Sequence, residues 1–112
     1  MDTKIQVWLL DIHACIDEIF EFLGDRRDFM EYKSDLKTKK AVERNIEIIG
    51  EAMSRILKLD SNFPIDNAKK IIGTRNRIIH AYDNISDEII WTIVIRDLPL
   101  LKKQIEDLNA GL

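Results

Sequence analysis

The chain has 112 residues, 46% hydrophobic and 33% charged, with a formal net charge of −3 at neutral pH. That composition excludes a disordered chain and bounds the protein to one small folded domain. It also excludes an overall basic field for nucleic acid, and the single cysteine, Cys15, excludes a disulfide framework or a multi-cysteine zinc site within one chain.

RNA binding stays open, because a local basic patch, above all one assembled from two subunits, overrides net charge. The apolar fraction is generous for so short a chain, so part of it is expected to be covered by a second copy or a partner. No apolar run approaches the roughly 20 residues of a membrane span. Asp2 and Lys4 lead straight into an amphipathic pattern rather than a signal peptide, so the expected location is the cytoplasm.

The first helix is expected from Asp2 to Gly24. Ile5, Trp8, Ile12, Cys15, Ile16, Ile19, Phe22 and Leu23 recur at three-to-four spacing, and Gly24 is a C-terminal stop. Cys15 reads as a buried thiol. A polar stretch from Asp25 to Lys33 follows, in which Phe29, Met30 and Tyr32 form a short turn over the bundle. The second helix runs from Asp35 to Leu59 on the stripe Val42, Ile46, Ile49, Met53, Ile56 and Leu57. Asp60 to Pro64 is a loop by its turn residues.

The third helix runs from Asp66, its N-cap, to Tyr82, and Asp83-Asn84 ends it. The fourth opens on the cap Ser86-Asp87-Glu88 and carries Ile89, Ile90, Trp91, Ile93, Val94, Leu98, Leu101, Ile105 and Leu108. Pro99 lies inside it and should kink it. No strand alternation, repeat or linker interrupts the chain. The expected architecture is an all-α, up-and-down antiparallel four-helix bundle forming one domain, residues 1–112.

One run stands out chemically: Arg75-Asn76-Arg77-Ile78-Ile79-His80-Ala81-Tyr82. On a helical wheel Ala68, Ile71, Ile72, Ile78 and Ile79 fall within about 60° of Arg75. A guanidinium in an apolar stripe is costly unless it is paired, lines a cleft or meets another subunit. The plain reading is that Arg75 and His80 face the negative end of the helix dipole, with Arg75 paired to Glu43 or Glu47. The sharper reading uses the chemistry of the groups. His80 suits general acid or base work, and Arg75 presents a fork of donors that matches phosphate oxygens. Asn76, about 40° from His80 on the wheel, is placed to orient the imidazole or a phosphate. Together they suit cleavage of an RNA phosphodiester, with two copies meeting across a two-fold axis to supply two histidines and two arginines.

Other residues carry less. His13 sits at the margin of the first stripe and reads as a rim or core histidine, and two histidines without spaced carboxylates make a poor metal site. Glu43, Glu47 and Glu51 share a face as solvated or paired charge. Asn45 falls on the apolar side and reads as a buried hydrogen-bonding group between helices, with the dimer contact as one place for it. Lys37, Lys39 and Lys40 form a solvated face and a weak candidate for phosphate contacts.

Three blocks, Ala41 to Ala52, Ile71 to Tyr82, and Ile89-Ile90-Trp91 followed by Asp97-Leu98-Pro99, stand in this order. On them the chain resembles the HEPN superfamily, and within it the HepT-like toxins of prokaryotic toxin–antitoxin pairs. The resemblance implies a helical bundle that dimerises and a metal-independent endoribonuclease that needs no cofactor. It implies an Arg-x4-His pair at the dimer cleft, matched by Arg75 and His80, with Asn76 as the polar residue after the arginine. Asn45 and Glu47 enter as supporting polar residues. The resemblance further implies a partner nucleotidyltransferase antitoxin of the MntA type, which silences the toxin by transferring AMP to a tyrosine at the position of Tyr82. The alternative is a non-catalytic subunit that binds nucleotide or substrate for such a nucleotidyltransferase.

Overall fold

Acidic and hydroxyl side chains start most of the helices of the computed structural model, which describes residues 2–25, 27–80 and 85–110. Asp2 accepts from the N–H groups of Lys4 (2.7 Å) and Ile5 (3.4 Å) and opens α1, Thr3–Leu23. Gly24, at φ 71°, closes it in the left-handed conformation that a side chain resists. Asp28 caps the short α2, Phe29–Ser34. Asp35 caps the long α3, Leu36–Leu59, through the N–H (3.1 Å) and hydroxyl (2.7 Å) of Thr38. Those bonds hold the Asp35 carboxyl below its ordinary range.

The start of the next helix departs from expectation. Asp66 does not cap it; its N–H donates to Gln104 Oε1 at 3.1 Å. Asn67 takes a left-handed φ of 60°, its carbonyl accepts from Ile71, and α4 spans Ala68–His80. Asparagine tolerates that conformation better than most residues, and this decided the boundary.

The fourth expected helix is three segments. Ser86 caps α5, Asp87–Thr92, as its sequence indicates. A π-helical turn follows over Ile93–Asp97, in which Leu98 N–H reaches back to the Ile93 carbonyl. Then comes α6, Leu98–Ala110. Pro99 has no N–H for the Ile95 carbonyl and its ring crowds that carbonyl, so the wide turn just ahead of it accommodates the proline. The break expected at Pro99 therefore lies one turn upstream. The wider turn also rotates Asp97 inward, to 3% exposure.

α3 lies at the centre, packed on α1 along one side and on α4 along another. Its buried residues, Val42, Ile46, Ile49, Met53 and Ile56, follow the expected stripe and meet Leu9, Ile12, Ile16 and Ile19 of α1. Ile90, Ile93, Leu98, Leu101 and Ile105 complete the core. α2 is fixed by aromatic contacts. Phe29 and Tyr32 lie with ring centroids 5.8 and 5.3 Å from Trp91, whereas Met30, expected beside them, points to solvent. Burial pushes the Tyr32 phenol above its ordinary range, with Glu43 and Asp87 adding to the effect. No strand occurs among the described residues, and none of their helices is long and apolar enough to cross a membrane.

Candidate active site

The site begins with a glycine. Gly50 lies in the middle of α3, where glycine costs about 1 kcal/mol relative to alanine. A Cβ placed there would stand 2.5 Å from the Arg75 Cβ, 3.0 Å from its Cγ and 3.3 Å from the Ile71 carbonyl oxygen. The missing side chain lets α4 sit directly on α3 and seats the stem of Arg75 in the gap.

The rotation of α4 differs from the wheel. The buried line runs through Ala68, Ile71 and Thr74, and Thr74 satisfies its hydroxyl on the Lys70 carbonyl at 2.9 Å. Ile72 is only half-buried and Ile79 is 44% exposed. Arg75 therefore sits at the edge of the packed face, half-buried, rather than in the middle of an apolar stripe. The wheel misplaced it because the rotation of α4 is set by the helix it packs on, where Gly50 admits the Arg75 stem and the Ile71 carbonyl.

Arg75 donates from Nη1 to Asn76 Oδ1 at 3.0 Å. Its Nε is buried without a hydrogen-bond partner. The expected pairing with Glu43 or Glu47 does not occur: Glu43 meets Lys40 at 3.7 Å and Glu47 meets Arg44 at 2.8 Å. Arg75 instead lines a groove of about 270 Å³ with Glu51, Ser54, Arg55 and Lys58 of α3. It forms no ion pair among the described residues. Asn76 is exposed, and it is the arginine that it holds. His80 is the last described residue of α4 and is exposed, with no hydrogen-bond partner among the described residues. Tyr82 lies outside the described residues.

Asn45 and Glu47 are engaged elsewhere. Asn45 is buried and donates to the Cys15 carbonyl (3.2 Å) and Glu18 Oε1 (2.9 Å), so it joins α3 to α1 within one chain and needs no second copy. Burial pushes the Cys15 thiol up to about 11, helped by Glu18 and Asp11, which fits a structural rather than a reactive cysteine. His13 sits on the rim between Asp17 (3.5 Å) and Glu106 (3.3 Å). Lys39 and Lys40 are paired with Asp87 and Glu43. Among the described residues no group of three or more His, Cys, Asp or Glu is arranged to hold a metal.

Sequence reasoning missed Gly50, the Arg55 and Lys58 side of the groove, and the pair of Lys70 with buried Asp97 at 2.8 Å. A lone glycine inside the apolar stripe of a long helix is a signal for close approach. Asp97 had none, since only the π turn brings it inside.

A family model described as Ribonuclease HepT-like matches residues 12–108. The chain belongs to the HepT-like ribonuclease family. It is 36% identical over 105 residues to "Putative RNase MJ0127" of Methanocaldococcus jannaschii, covering 93% of this chain and 86% of that protein. It is 34% identical over 106 residues to "Probable ribonuclease HepT" of Thermococcus cleftensis, covering 91% and 93%. A third relative, "Putative RNase TTE0752" of Caldanaerobacter subterraneus, is 33% identical over 95 residues, 79% of this chain and 82% of its own. No solved structure matches the chain. The family match covers almost the whole helical domain, including all of α3 and α4.

Proposed function

We propose that this HepT-like ribonuclease is the toxin of a toxin–antitoxin pair and cuts RNA as a homodimer, with Arg75 and His80 of both protomers at a shared cleft. The observation that carries the reading is the state of Arg75. It is half-buried beside Gly50, held by Asn76 and, among the described residues, without a carboxylate partner. A guanidinium with donors to spare at the wall of a groove is suited to phosphate.

In the proposed reaction one His80 takes the proton from a ribose 2′-hydroxyl as that oxygen attacks the adjacent phosphorus. The bond to the 5′-oxygen breaks, and the His80 of the partner protomer donates the proton that this oxygen needs. The products are a 2′,3′-cyclic phosphate and a 5′-hydroxyl. Arg75 meets the charge that builds on the non-bridging oxygens, and Asn76 keeps the guanidinium turned toward them. The chemistry needs no metal. Exposed Ile79 and half-buried Ile72 and Ile78, on the same helix, support a contact between copies there.

Control is proposed to pass through Tyr82. A partner nucleotidyltransferase joins its hydroxyl to the α-phosphorus of ATP and releases pyrophosphate. The attached AMP brings negative charge to the cleft, where Arg75 pairs with it and RNA is repelled.

Incubation of the purified protein with labelled RNA in EDTA tests the reading. Fragments ending in 2′,3′-cyclic phosphate are expected, and His80→Ala should abolish them. Undiminished cleavage by His80→Ala would remove the catalytic assignment. A folded dimer that binds RNA without cutting it would favour the non-catalytic subunit instead.

A further inference from the structure

Arg75 does not stand alone on its groove. Glu51, Ser54, Arg55 and Lys58 are spaced three and four apart, so they share one face of the C-terminal half of α3 and form the wall opposite Arg75. Three cations thus face one carboxylate, in a protein whose net charge is −3. The carboxylate is already neutralised, because Glu51 accepts from Arg55 at 2.8 Å. That pair is exposed, with side chains 55% and 48% accessible, and exposed pairs contribute little, so an incoming phosphate competes for Arg55 at small cost. Lys58 is exposed and carries no ion pair among the described residues. Its place in the last turn of α3 suits the helix dipole, but the dipole does not account for Arg55 one turn earlier or for Arg75 across the groove.

We infer that the α3 wall of this groove, Arg55 and Lys58 with the hydroxyl of Ser54, is a second phosphate subsite that holds the RNA backbone next to the phosphate at Arg75. The subsite rests on the ribonuclease reading and assigns it a direction: the strand runs from Arg75 along α3 toward Lys58. From Glu51 to Lys58 the helix rises about 10 Å, room for a neighbouring phosphate beyond the reacting one. The contacts are to backbone oxygens, so the subsite positions RNA without reading its bases.

The test compares wild type with Arg55→Gln, Lys58→Gln and the charge-keeping Lys58→Arg. Binding is read by fluorescence anisotropy with a 2′-O-methyl oligoribonucleotide, which cannot be cut. Each Gln variant should bind about five- to tenfold more weakly and reduce the salt slope by about 0.7, the value for one lost phosphate contact on a single strand. Lys58→Arg should bind as wild type. In cleavage of an unmodified oligonucleotide the Gln variants should raise KM and leave kcat alone, and a dinucleoside monophosphate, with one phosphate, should be cut at wild-type rates. Both residues are exposed, so thermal unfolding should be unchanged. Gln variants that bind as tightly as wild type with the same salt slope would overturn the subsite while leaving the ribonuclease reading in place if cleavage persists. Wild type that binds through Arg55 and Lys58 but does not cut would overturn the ribonuclease reading and keep the subsite. Wild type that neither binds nor cuts would overturn both.

Discussion

α4 carries two cations five residues apart whose circumstances are opposite. Lys70 meets Asp97 at 2.8 Å, and Asp97, 3% exposed, is met again by Arg96 at 3.2 Å. Among the described residues Arg75 has only the neutral amide of Asn76, and its Nε has no partner. The first cation is spent within the fold. The second is held in place and left with donors free. A cation that answers a buried carboxylate belongs to stability, because removing it strands the opposite charge. A cation that is positioned but unanswered is available for a ligand's negative charge. The difference assigns the two ends of one helix to different work.

The contrast breaks most sharply if the free end is not catalytic. His80→Ala and Arg75→Ala should each lower RNA cleavage by at least about 100-fold, the scale for losing a proton-transfer group or a charge-stabilising one. Neither should shift the thermal midpoint much, since His80 is exposed and Arg75 answers no carboxylate among the described residues. An Arg75→Ala variant as active as wild type would erase the distinction between the two cations. Loss of the cooperative unfolding transition in Arg75→Ala would instead make the arginine structural, like Lys70.

Next comes the device that seats Arg75. Gly50→Ala adds a Cβ that meets Arg75 Cβ at 2.5 Å, and backbone and stem atoms cannot swing aside as a side-chain tip can. Overpacking of this kind costs about 1–3 kcal/mol, and a displaced guanidinium should lower kcat by about tenfold, as small misplacements do. Arg75→Gly removes the clashing atoms, so the double variant should regain most of the stability but none of the activity. Chemical denaturation of the four proteins in the cycle measures the coupling. If Gly50→Ala were neutral in both respects, α4 would not be set by this contact.

Lys70→Met tests the other end. It leaves Asp97 buried with Arg96 as its remaining partner, and Lys70 itself is 38% exposed, so a loss of about 1–2 kcal/mol is expected, below the range for a fully buried pair. Cleavage should stay within about twofold of wild type, because a stability residue contributes no transition-state contact. A large loss of cleavage from a folded Lys70→Met protein would move the active region toward the N-terminal end of α4.

The two ends also differed in how far sequence could reach them. The periodicity of α1 and α3, the caps at Asp2, Asp35 and Ser86, and the stop at Gly24 were legible because each is a local preference. The packing of Phe29 and Tyr32 was legible as an apolar group in a polar stretch. Arg75 was singled out because its charge was out of pattern, but the wheel buried it too deeply. Rotation about the helix axis is set by the facing helix, and Gly50 lies 25 positions away in sequence. The Lys70–Asp97 pair was hidden for a similar reason: a one-residue shift in the turn before Pro99 decides which way Asp97 points. Asp66 lost the α4 cap to Asn67 because a left-handed residue ahead of a helix leaves little trace in composition.

The smallest effect sharpens the comparison by adding a third cation. Lys102 of α6 lies 2.7 Å from Asp17 of α1, as short a pair as Lys70 with Asp97, but Asp17 is 50% exposed. The hydrogen bond to Asp17 raises the Lys102 pKa above the ordinary lysine value, with Asp17 and Glu106 adding their charge. A lysine raised in the folded state stabilises the fold at every pH below its unfolded value, and that contribution fades as pH climbs through the folded value. The loss is therefore confined to strongly alkaline solution, and near neutrality the pair stands intact. Water competes for both partners and salt screens them, so Lys102→Ala should cost no more than about 0.5 kcal/mol at low ionic strength, and less at about 1 M salt. Urea unfolding of Lys102→Ala and Lys70→Met at both ionic strengths separates the cases. The Lys70→Met deficit should persist in salt because the stranded carboxylate is buried, while the Lys102→Ala deficit should vanish. Equal salt sensitivity of the two would mean that burial of Asp97 does not govern its pair, and the line drawn between spent and free cations on α4 would rest on distance alone.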